Sequence, residues 1–157
     1  MRLTPGTVRE HYEFVRERPI APHITEVRAA LGEQFDTTVA PVSDEEYRAE
    51  VDAVFADGDR AVNVAAFVAI LRELDVEGDY PGFVVDELLG RQLAATIAGG
   101  QPLALLAEAT FHFADVHTDS PEGEAGLDDL DAALAAGFQT RLPGWEWRES
   151  PSPFAID

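Results

Sequence analysis

The 157-residue chain carries thirty acidic residues against eleven arginines and no lysine, a formal net charge of −19, with 46% apolar residues and no cysteine. That length and apolar content suit one domain with a closed core, and the charge disfavours direct contact with nucleic acid phosphates or anionic membrane surfaces. Lack of cysteine removes disulfides, thiol nucleophiles and thiolate metal sites.

The pattern is helical almost throughout. A first helix is expected from Pro5 to Glu17, ended by "RPIAP", whose prolines at 19 and 22 break it. A second follows from Pro22 to Phe35, with Ile24, Val27, Leu31 and Phe35 spaced as one inner face. Ser43-Asp-Glu-Glu46 has the form of a capping box and starts a third, whose Tyr47, Val51, Val54 and Phe55 make a buried stripe.

Residues 60–74 are apolar nearly all round, which predicts a helix near the middle of the fold. Val85, Leu89, Leu93 and Ile97 form the next row, closed by Gly99-Gly100, and Pro102 opens the helix after it. There Leu105, Ala109, Phe113 and Val116 define the expected buried side. The last helix runs from Leu127 to Gly137, with Asp128, Asp129 and Asp131 near its positive dipole end and Leu127, Leu130, Leu134 and Phe138 inward.

The fold class is therefore all-α: a single-domain bundle of six or seven short helices over residues 1–142, followed by a Pro- and Trp-containing extended tail over 143–157. "DTTVAPV" and the "GWEW" of the tail are the strongest strand candidates.

The stretch "EATFHFADVHTD" holds two of the four histidines. At 100° per residue, Glu108, His112 and Asp115 share one side of the helix and His117 points nearly opposite. The triad is a candidate site for a hard or borderline divalent ion, with His11 or His23 as further ligands. Its ordinary reading is a solvated helix face with His112 paired to carboxylates, and His117 set against the carbonyl end of the dipole.

Residues 45–71 resemble an EF-hand helix–loop–helix. Asp57, Gly58 and Asp59 fall at the third to fifth loop positions, Val62 at the apolar eighth and Phe67 just past the loop. The pattern departs where Phe55 takes the first ligand position, Arg60 the glycine position and Ala66 the place of the bidentate glutamate, which leaves Asp57, Asp59 and Asn63.

Trp145 and Trp147, two apart in an extended segment, face opposite ways, so one is free to pack while the other docks a partner. "REHYEFVRER" sets Arg9, Arg16 and Arg18 beside His11 and Tyr12, either as a solvated face with ion pairs or as an anion-recognising patch.

No catalytic, phosphate-loop or dinucleotide motif is present and no cofactor is expected. The four serines (43, 120, 150, 152) sit at a cap, in a loop or in the tail. The N-terminus lacks an apolar leader, so a soluble cytoplasmic protein is expected.

The acidic excess lies after Phe35: residues 1–35 carry five acids and five arginines, the remainder twenty-five and six. A GC-rich, salt-adapted host accounts for such a composition, and so does a surface offered to a basic partner. The functional expectation is a non-enzymatic protein that binds another protein, of inhibitor, immunity or accessory type. The alternative is a metal- or small-ligand-binding bundle using Glu108, His112 and Asp115. A homo-oligomer would instead show an apolar patch around the 83–97 helix.

Overall fold

The computed structural model describes residues 1–74, 80–117, 125–145, 151 and 156, with helix residues 80–84, 86, 117 and 125–127 described by backbone alone. Within these residues the chain is all-α. Seven helices are formed: α1 (Pro5–Glu17), α2 (Ala21–Gln34), α3 (Asp44–Ala56), α4 (Gly58–Glu73), α5 (Tyr80–Ala98), α6 (Leu103–His117) and α7 (Ala125–Gln139). No strand occurs among the described residues, and "DTTVAPV" is a turn and an irregular connection.

Helix starts follow local chemistry. Thr4 Oγ1 accepts the Thr7 N–H while the Thr7 hydroxyl accepts the Thr4 N–H, a capping box of two threonines. Ser43 and Glu46 form the expected box at α3, and the bonds from Ser43 hold the Glu46 carboxyl below its usual range. Asp57 ends α3 and caps α4 at once, its Oδ1 accepting the Arg60 N–H at 3.2 Å. One residue between two helices leaves no cation loop, so the EF-hand likeness of the sequence does not extend to the structure.

The central helix is α7. It packs against α2, α3, α4, α5 and α6, and Leu130, Ala132, Ala133, Leu134, Ala135, Ala136 and Phe138 are all buried. Residues 60–74 do not hold that place, since Val62 and Asn63 of α4 face solvent. The reason is side-chain size: alanines let neighbouring helices approach from every side, whereas bulky apolar residues need one deep groove. Gly137 takes this furthest, because an added Cβ would lie 2.9 Å from Ile97 Cβ of α5.

The same logic corrects the expected phase of α6. Leu105, Ala109 and Val116 are exposed and Phe113 is half-buried, whereas Ala104, Ala107, Thr110, Phe111 and Ala114 face the interior. Small residues are chosen because α6 lies against both alanine-rich α7 and Gly90 of α5. Elsewhere in the interior, Val51, Val54, Val64, Val68, Leu71 and Leu93 are fully buried, while Phe67, Leu89 and Leu106 are half-buried.

Phe35 also departs from expectation, being 63% exposed. Helix α2 ends at Gln34, and Phe35 has φ −101° and ψ 9°, so the helical repeat no longer aims its side chain. The chain reverses at Asp36, whose φ of 51° lies in the left-handed region, and Thr37 N–H donates to Gly32 O at 2.8 Å. A Cβ on Gly32 would stand 2.6 Å from Thr37 O, so that reversal needs glycine.

The core extends to Trp145. Buried Arg28 of α2 donates through Nη2 to the carbonyls of Gln139 and Leu142, both at 2.8 Å, and through Nη1 to that of Pro143 at 2.7 Å. It thereby satisfies carbonyls left over at the end of α7. Its guanidinium also lies 5.6 Å from the Trp145 ring centroid.

Candidate functional site

Two arginines of "REHYEFVRER" join α1 to other helices. Arg18 holds Asp131 of α7 through two bonds of 2.9 and 2.5 Å. Arg16 Nε donates to Asp52 Oδ1 at 2.9 Å, and the Tyr12 hydroxyl donates to the same oxygen at 2.7 Å. Arg9 makes an exposed pair with Glu13 one helical turn away.

Those contacts border a groove of about 390 Å³ between α1 and α3, lined by Pro5, Val8, Arg9, Tyr12, Asp52, Phe55 and Ala56. Tyr12 and Phe55 tilt against each other at 5.3 Å. The bonds from Tyr12 and Arg16 hold the Asp52 carboxyl below its usual range, and the bond to Asp52 raises the Tyr12 hydroxyl.

His11, beside that helix face, stacks no closer to chemistry. Burial, then the Arg72 charge, lowers its pKa, and Arg72 Nη1 lies 3.3 Å from its Nδ1 while the guanidinium covers the Phe14 ring at 3.8 Å. His23 is half-buried on α2.

Glu108, His112 and Asp115 do lie along α6, with His112 exposed and the two carboxylates half-buried. Glu108 Oε1 accepts from Gln92 Nε2 of α5 at 3.4 Å. Among the described residues no group of three or more histidine or carboxylate side chains is placed to hold a metal ion. His117 ends α6, and its side chain is outside the described residues.

Trp145 is 3% exposed and donates from Nε1 to Gln139 Oε1 at 3.0 Å. It anchors the chain after α7; Trp147 lies outside the described residues.

One stretch of the surface carries carboxylates and no arginine. Arg141 Nε meets Glu50 Oε2 at 3.0 Å, and together with Arg16, Arg18 and Arg28 it is spent on internal contacts. Residues 29–47 hold Glu33, Asp36, Asp44, Glu45 and Glu46 and no arginine, and all five carboxylates are exposed. Among the described residues Glu33, Asp36, Asp44 and Glu45 join no ion pair. Beside exposed Phe35 lies a shallow hollow of about 450 Å³, lined by Gly32, Glu33, Asp36, Thr37 and Thr38. Sequence reading located the acidity but not the aromatic within it; the signal was Gly32 followed by Asp36, a helix stop that frees Phe35 from the inner face.

No described helix is long and apolar enough to cross a membrane. The family model that matches, over residues 1–157, is described as a domain of unknown function, DUF7984. No curated protein and no solved structure matches the chain.

Proposed function

We propose that this chain, which belongs to the DUF7984 family, works by binding a basic protein, as an inhibitor, immunity or accessory protein would, and not by catalysis. The observation that supports this reading is the distribution of charge: Arg18, Arg28 and Arg141 are held in contacts between helices, while the carboxylates of residues 29–47 stand outward with no arginine in that stretch. Such a surface raises the rate at which a positively charged partner arrives, and like-charged proteins are rejected. Phe35, 63% exposed and flanked by Glu33 and Asp36, supplies an apolar anchor with an acidic rim.

Carbodiimide cross-linking in host cells, followed by mass spectrometry, identifies proteins whose lysines lie against these carboxylates. The purified partner is then titrated with wild-type chain and with a Glu33→Gln, Asp36→Asn, Asp44→Asn, Glu45→Gln variant. Affinity is expected to fall by about tenfold or more in the variant and to weaken with added salt in the wild type. Equal affinity in both would sink the reading and leave the acidity as an adaptation of the whole surface to salt.

A further inference from the structure

We infer that the outward face of the α5–α6 hairpin is a self-association surface on which a second copy of this chain packs. Val85, Leu88, Gln92 and Thr96 recur along α5 at steps that keep them on one side, as do Leu105, Ala109, His112 and Val116 along α6. The opposite sides, Leu93, Ala94 and Ile97 with Ala104, Ala107, Phe111 and Ala114, are buried. The Gln92–Glu108 hydrogen bond ties the two helices together across the hairpin. Four large apolar side chains stand out along these rows: Val85 is 45% exposed, Leu88 56%, Leu105 58% and Val116 58%.

Charge selects the occupant. From Leu88 to Ala107 the chain has one charged residue, Arg91, which pairs with Glu87 on its own helix at 2.6 Å. If acidity serves solvation, every wetted face should carry it, and these twenty consecutive residues carry no acid. A basic partner gains little from a face so poor in acid. A second copy, at −19, is repelled by the rest of the surface, and the carboxylate it meets between these rows, that of Glu108, is half-buried and accepts a bond from Gln92. Two-fold pairing would set α5 and α6 against their counterparts as one four-helix layer, each leucine row covering the other's.

Sedimentation equilibrium from about 1 to 100 µM, at low and molar salt, tests this; those concentrations span ordinary dimer affinities. The expected mass is twice 17.1 kDa, with association strengthening as salt screens the residual repulsion. Leu88→Glu with Leu105→Glu should weaken association about a hundredfold or more while leaving the far-ultraviolet helix signal intact, since both side chains already face water. Val62→Glu, at an exposed apolar position on α4, should leave it unchanged. If the double variant fails to fold, a spin label on Ala109→Cys in this cysteine-free chain decides: an intermolecular distance is expected there and none from Val62→Cys. A 17.1 kDa species throughout, or a dimer that survives the double variant, would overturn the inference.

Discussion

Gly90 of α5 meets the ring of Phe111 of α6 so closely that an added Cβ would lie 2.4 Å from Phe111 Cζ. The ring is 1% exposed, so it can move aside only by displacing neighbours in a close-packed core. Gly90→Ala should therefore destabilise the protein by about 1–2 kcal/mol, the overpacking cost outweighing the ~0.5–1 kcal/mol gained by removing glycine from a helix. Urea unfolding checks this, and a raised midpoint would show that the hairpin can open without loss.

Arg28 links α2 to the end of α7 through three carbonyls. Arg28→Ala strands those acceptors in the interior, and a loss of about 3 kcal/mol or more is expected. Arg28→Lys should recover only part of it, because an ammonium lacks the planar fork that reaches two sites at once. Trp145 emission should shift red in both variants below global unfolding, as its neighbouring cation and its seat are disturbed.

The carboxyls of Asp52 and Glu46 are both held below their usual values, Asp52 by Tyr12 and then Arg16, Glu46 by Ser43. A depressed folded-state value means that the unfolded chain binds more protons, so this stability is complete above the ordinary value of 3.8 for Asp52 and is lost as pH falls through the lower folded value. Asp52→Asn should flatten the acid limb of a stability–pH curve below about pH 4 without changing its shape above pH 6. An unchanged acid limb would mean that the Tyr12–Asp52–Arg16 contact carries no net stability.

His112 is exposed on α6, and His112→Ala should change stability by less than about 1 kcal/mol. Calorimetric titration of the wild type with zinc, manganese and calcium should show no tight stoichiometric binding. A one-to-one isotherm that disappears in His112→Ala would restore Glu108, His112 and Asp115 as a metal site and count against a purely protein-binding role.

Where helices begin and end was readable from sequence because caps are local. Ser43 and Glu46, Pro19 and Pro22, and Gly99 and Gly100 act within a few residues of themselves, and each stands at the helix boundary it predicts. The all-α class followed from the same local periodicity. So did the acidity that supports the candidate surface, since net charge survives any arrangement of the chain.

Tertiary structure decided which faces are inside. Helix α6 is apolar on two sides, and periodicity pointed to Leu105, Ala109, Phe113 and Val116 as the inner one; close contact with α7 and Gly90 instead buries the smaller set of Ala104, Ala107, Phe111 and Ala114. Phe35 turned outward because the reversal at Asp36 cut its helix short. Nothing near Arg28 in the sequence marks it as internal, because its acceptors lie more than a hundred residues away. Caps and periodicity act over a few residues, whereas burial depends on neighbours the whole fold brings together, and on how small their side chains are.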